Sequence, residues 1–222
     1  MDSNAQKWYG IVAATVVIIA ALGWYFGVHQ KAVAPTSTTN NATSTSGTAT
    51  STDGLTGVQN IPDESTLKQP DLSRPYTPLS TLPQSVQDNN KKLYATAVEQ
   101  LKFNPNGIAY WLQLAGLRKG ANDFTGAEEV WLYVTKRWST DPIAYNNLGD
   151  LYAFSLKSSV QAVVYWNKAI AADPKGIPTY INLATFQNIN LQDKPAAKAT
   201  LGAGLKANPG NASLQAALNA LQ

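Results

Sequence analysis

An Asn-Pro or Asp-Pro pair recurs four times in the second half of the chain, at Asn104-Pro105, Asp141-Pro142, Asp173-Pro174 and Asn208-Pro209. The spacings are 37, 32 and 35 residues. Such a step ends one helix and can open the next, with the Asx side chain as cap and proline near the first helical position. Each interval holds two amphipathic helical patterns separated by a short break. A two-helix unit of this size cannot bury its apolar face alone, so neighbouring units must stack. The sequence therefore predicts an all-α array with repeats at about 105–139, 140–174 and 175–209. Residues 85–103, with Leu93, Ala97, Val98 and Leu101 on one face, predict a leading cap, and 211–221 a trailing one. Thr125-Gly126-Ala127-Glu128 has capping-box spacing at the start of a second helix.

Aligning the intervals places Tyr110-Trp111-Leu112-Gln113-Leu114-Ala115 beside Tyr145-Asn146-Asn147-Leu148-Gly149 and Tyr180-Ile181-Asn182-Leu183-Ala184. Ala115, Gly149 and Ala184 allow close approach of paired helices, while Trp131, Trp166 and Leu201 fill the space opposite. These residues resemble the tetratricopeptide repeat, whose first helix follows W-x2-L-G-x2-Y and whose second carries A-x3-F-x2-A before a closing proline. The middle repeat matches best, through Tyr145, Leu148, Gly149 and Tyr152, then Ala162, Trp166, Ala169 and Pro174. The third offers Tyr180, Leu183, Ala184, Ala197, Leu201, Gly204 and Pro209. Both require a one-residue insertion at the turn between the helices. The first offers Trp111, Leu114, Ala115, Ala127, Trp131 and Val134 but departs at Arg118, where the family has tyrosine. The resemblance covers about 105–209.

Ahead of the repeats, Trp8 to Val28 runs for 21 residues without a charge. At about 1.5 Å per helical residue it reaches roughly 30 Å, the thickness of a bilayer's hydrocarbon core. Aromatic residues mark both ends, and Lys7 and Lys31 close it. Residues 1–31 are thus read as a transmembrane anchor. A cleaved signal peptide competes, since Ala32-Val33-Ala34 fits a cleavage site, but the run exceeds a usual signal core and Pro35 would follow the cut. The short tail with its free amino terminus and the nearly uncharged stalk favour a cytoplasmic N-terminus, with the repeats outside a cell membrane. Anchor, linker and repeats together suggest a bacterial envelope protein. Gly23-x-x-x-Gly27 could pair such helices.

Residues 32–83 are read as a disordered linker. The first part, 32–60, carries a single charge, Asp53, and almost nothing to bury. The second is stiffened by Pro62, Pro70, Pro75, Pro78 and Pro83. Pro75-Tyr76-Thr77-Pro78 fits P-x-x-P, though a spacer role is favoured. Asn41 and Asn211 lie in glycosylation triplets.

Chemistry is poorly provided for. Cysteine is absent and the single histidine, His29, sits at the end of the apolar run, so residues 84–222 hold neither triad base nor thiolate ligand. Glu128 and Glu129 are adjacent on a helix and do not converge, and no glycine-rich phosphate loop is present. No catalytic residue, metal or cofactor is expected, and a net charge of +3 argues against a nucleic-acid partner. The resemblance instead implies a concave face lined by the first helices, binding a protein or peptide. In the alignment this face carries Gln113, Lys119, Asn146, Asn147, Asp150, Phe154, Asn182, Thr185 and Asn188. Asn147 and Asn182 match a position that bonds a ligand's backbone, and Phe154 suits a hot spot. The expected function is a membrane-tethered interaction scaffold. Its alternative is a self-assembling, homo-oligomeric component of a membrane complex.

Overall fold

A computed structural model of the chain describes residues 68–222. They belong to one compact unit, Thr52–Gln222. The apolar run at 8–28 lies outside the described residues, as do most of the linker and the Gly23/Gly27 pair. Among the described residues, no helix is long and apolar enough to cross a membrane.

Eight helices follow one another: α1 (Gln84–Phe103), α2 (Ile108–Gly120), α3 (Phe124–Arg137), α4 (Pro142–Asp150), α5 (Ser159–Ala172), α6 (Ile177–Ile189), α7 (Lys194–Ala207) and α8 (Ala212–Asn219). No strand occurs among the described residues. Helix pairs α2/α3, α4/α5 and α6/α7 stack in sequence order between α1 and α8. The tetratricopeptide-like, all-helical architecture follows from this order and from the 34- to 35-residue interval between equivalent helix starts.

The Asx-Pro steps do not share one role, which explains their uneven spacing. Asn104, Asp173 and Asn208 end α1, α5 and α7, and each opens a four-residue turn closed by the N–H of Gly107, Gly176 or Asn211 at 3.0–3.2 Å. The next helix then begins after that fourth residue. In the second repeat the turn starts at Trp138 instead, and Asp141 is its fourth residue. Asp141 alone of the four caps the helix it precedes, accepting from Ala144 N–H at 2.8 Å with Pro142 in the first turn. The pair at 141–142 therefore sits three residues downstream of its apparent equivalents. The trailing sequon residue Asn211 is likewise a cap, its side chain bound to Leu214 N–H at 3.0 Å.

The expected capping box at Thr125 is corrected as well. Asp123 is the N-cap of α3, accepting from Gly126 N–H at 3.0 Å, and Thr125 lies inside the helix. A carboxylate accepts more strongly than a hydroxyl, so the earlier residue takes the cap. Glu128 is thereby freed to accept from Tyr152 Oη on the following pair.

The turn inside each pair shows where the extra residue of the second and third repeats goes. Asp123 N–H closes on Arg118 C=O at 2.9 Å, leaving Asn122 with φ of 61°. The equivalent bonds, Ser158 to Tyr152 and Asp193 to Gln187, are both 2.8 Å but enclose one residue more. In the second repeat the surplus becomes a turn of π-helix, Leu151–Ser155, extending α4. Lys157 and Gln192 then take the left-handed conformation that Asn122 has, with φ of 58° and 56°. The second helix resumes in register.

Core packing uses the small residues noted in the alignment. A Cβ on Gly149 would lie 2.6–2.7 Å from the Trp166 ring, and one on Gly204 would lie 2.9 Å from Tyr180. Trp111, Trp131, Trp166, Leu114, Leu148 and Leu201 are fully buried. Trp111 Nε1 donates to Pro105 C=O at 2.9 Å and Tyr180 Oη to Pro174 C=O at 3.1 Å, tying α2 and α6 to the turns before them.

Residues 68–83, read from sequence as the stiff end of a disordered linker, form a strap against the first helices. Pro70 and Pro78 are buried. Arg74 forks onto Asp123 at 2.7 and 2.5 Å, and the Tyr76 ring stacks on Tyr94 at 4.3 Å and 11°. Arg118 donates to Asp71 C=O at 2.7 Å and Tyr94 Oη to Arg74 C=O at 2.9 Å. The composition of 68–83 gave no hint of this, because the partners that order it are supplied from 94 to 123. With Pro78 buried and Tyr76 stacked, the P-x-x-P motif faces its own domain.

Candidate protein-binding face

The first helices α2, α4 and α6 each present a row of side chains at one-repeat intervals. Gln113, Asn147 and Asn182 are equivalent and all half-buried. The row at Lys119, Phe154 and Ile189 runs from charged to aromatic to aliphatic, and Phe154 and Ile189 are 51% and 65% exposed. Ile189 was missed in the alignment-based set, although it stands one repeat after Phe154.

Phe154 is not an isolated exposed ring. It makes edge-on contacts with Trp166 at 6.4 Å and Phe186 at 5.9 Å, and these two pack on each other at 5.2 Å. Trp166 and Phe186 are fully buried, so they hold one edge of Phe154 while its other side meets solvent. The π turn at 151–155 sets where Phe154 leaves the helix. An aromatic side chain fixed at its base and open above loses little rotamer freedom when a partner covers it.

Polar groups surround this cluster. Asn182 Nδ2 donates to Asn146 Oδ1 at 3.4 Å, bridging α6 and α4, so these two candidates hold each other. Asp150 adjoins Gly149 and the Trp166 ring. Burial pushes its carboxyl above the ordinary aspartate range, offset in part by the charge of Lys119 and by the indole N–H of Trp166. That indole N–H makes no hydrogen bond of good geometry. Further along, Thr185, Asn188 and Ile189 line a groove between α6 and α8 floored by Ala184, Leu201 and Leu221. Gln113 and Asn147 stand on the same helices without a side-chain bond that assigns them a structural task.

The arrangement offers amide donors and acceptors beside a fixed aromatic and an apolar groove, which is chemistry for binding an extended chain. Among the described residues no group of three or more His, Asp or Glu side chains converges as a metal site.

Arg118 is the buried charge of the first repeat. It is 1% exposed and donates to Gly126 C=O at 3.2 Å, to Tyr94 Oη at 3.4 Å and to the strap, with Glu129 3.7 Å away. Tyr152 stands at the equivalent position in the next repeat and reaches Glu128. An arginine where the aligned second repeat has Tyr152 thus serves the strap.

No family model matches the chain, and no curated protein matches it. Among solved structures, it is similar to the crystal structure of a thermophilic TPR protein from Thermus thermophilus, with 18% sequence identity and a TM-score of 0.45, over 62% of this chain and 80% of that one.

Proposed function

We propose that the repeat domain is a protein–protein interaction scaffold that binds an extended segment of another protein across α2, α4 and α6. The single observation carrying this reading is Phe154, half-exposed above a buried Trp166–Phe186 base. Gln113, Asn146, Asn147, Asn182, Thr185 and Asn188 are assigned to backbone and polar contacts, Lys119 and Asp150 to charge recognition. We further read the run at 8–28 as an anchor that holds the domain on the outer side of a membrane. Tethering raises local concentration, so a weak groove suffices. We read the chain as a binder and not an enzyme.

Self-assembly by end-to-end stacking is disfavoured by α8. Where internal first helices carry Trp111, Tyr145 or Tyr180, α8 has Gln215, and where they carry Ala115, Gly149 or Ala184 it has Asn219. These two bond to each other at 2.9 Å, giving the array a polar end.

Photo-crosslinking from position 154 in intact cells, followed by mass spectrometry, tests the proposal. A discrete partner, lost on Asn146→Ala with Asp150→Ala, is the expected result. Self-crosslinks alone, or none, would overturn it.

A further inference from the structure

The strap is held to the helices by more than its buried prolines Pro70 and Pro78. Three groups of the helical domain contact it through three different chemistries. Arg118, buried at the base, donates to the backbone carbonyl of Asp71 at 2.7 Å. Asp123 receives the Arg74 guanidinium as a fork at 2.7 and 2.5 Å. Tyr94 receives the Tyr76 ring at 4.3 Å and donates its hydroxyl to Arg74 C=O at 2.9 Å. A backbone contact, a charge contact and a ring contact within a few residues are the components of sequence-selective recognition of an extended peptide. The charge contact differs from core burial, since the Arg74 and Asp123 side chains remain 36% and 24% exposed.

The seat is also preformed by residues with duties of their own. Asp123 caps α3 through Gly126 N–H, and Arg118 binds Gly126 C=O. Both are therefore oriented before the strap arrives. Only Leu79–Pro83 separate the seated part of the strap, residues 70–78, from α1, and this connection contains a turn in which Leu82 N–H bonds Leu79 C=O at 3.1 Å.

We propose that the face formed by α1, α2 and the start of α3 is a second peptide-recognition site, separate from the Phe154 face, and that residues 70–78 are its ligand bound in cis. Its ligand class is an extended, proline-flanked segment of the form Arg-Pro-aromatic. Asp123 reads the arginine, Tyr94 the aromatic ring, and Arg118 the backbone three residues before the arginine. A connection this short supplies an effective concentration of about 1 mM, so a site of modest intrinsic affinity stays filled in cis. The same site accepts a segment of this chemistry in trans when the strap is withdrawn.

The test uses the full chain with a protease site placed between Ser80 and Thr81, cut after folding. A fluorescent peptide of residues 69–79 is titrated into cut and uncut protein, while circular dichroism follows helix content. The expected result is saturable binding to the cut protein only, in the sub-millimolar range, weakened about two- to fivefold by Arg74→Ala in the peptide, the worth of one partly exposed forked ion pair. Loss of helix on cutting would show the strap to be part of the core and overturn the proposal. So would absent binding with helices retained, equal affinity of the Arg74→Ala peptide, or equal binding to uncut protein.

Discussion

Gly149 and Trp166 meet face to face across the middle helix pair, and a single methyl group on residue 149 would stand 2.6 Å from the indole. Neither the ring nor the backbone has room to yield, because Trp166 is itself wedged against Phe186 and Phe154. Gly149→Ala is therefore expected to destabilise the domain by about 1–3 kcal/mol. Gly116 occupies an exposed turn of α2 with nothing near its would-be Cβ. Gly116→Ala should instead stabilise by about 0.5–1 kcal/mol. Urea unfolding of the two variants, followed by circular dichroism, should shift the midpoint in opposite directions.

Asp123 serves a helix and a strap at once, and the two duties separate chemically. Asp123→Asn keeps an oxygen for Gly126 N–H but removes the charge that draws Arg74, costing about 0.5–1 kcal/mol for a partly exposed pair. Asp123→Ala removes the cap as well and should cost about 2 kcal/mol in all. Hydrogen exchange should rise in residues 70–78 for both variants, and in the first turn of α3 only for the alanine.

Asp150 carries a pH signature. Its folded carboxyl is raised by burial, against the opposing charge of Lys119 and the Trp166 indole. Above the ordinary aspartate value of 3.8 the folded state then holds more protons than the unfolded one. Stability falls as pH rises from that value through the raised one, and the loss is complete above it. Asp150→Asn deletes this contribution. It should melt higher than the parent at pH 7, with the difference shrinking as pH falls below the ordinary value, as differential scanning calorimetry across pH would record.

Phe154 is half-exposed, so Phe154→Ala should cost less than about 1 kcal/mol in stability, well short of a fully buried aromatic. Its effect should fall on binding, where loss of an anchoring ring weakens affinity by about tenfold or more. Calorimetric titration with the crosslinked partner checks this. Ile189→Asp should act in the same direction, being one repeat further along the same exposed row.

Periodicity alone was enough to recover the helix pairs, because equivalent leucines and small residues recur wherever two helices must touch. Register was harder. The eye aligns Asx-Pro at 141 with the pairs at 104, 173 and 208, yet proline fits both the second position of a turn and the first turn of a helix, and the local sequence does not say which. The strap was illegible for another reason. Nothing in Asp71–Pro78 reports that an arginine 47 residues away lies buried beneath it. Its one trace was Arg118 standing where a tyrosine was expected. On the candidate face, exposure at Phe154 was visible in the repeat register, but its buried base was not. Phe186 is an ordinary core residue until the rings are seen together.

The left-handed residues Asn122, Lys157 and Gln192 fall 35 positions apart although the first repeat has one residue fewer before its turn. The π turn after Asp150 works as an expansion joint in the array. Length added ahead of it is taken up where a first helix ends, and α5 and everything beyond keep their phase. A lineage of such chains can therefore lengthen or trim this joint and reshape the Phe154 surface, while the framework that carries that surface stays put.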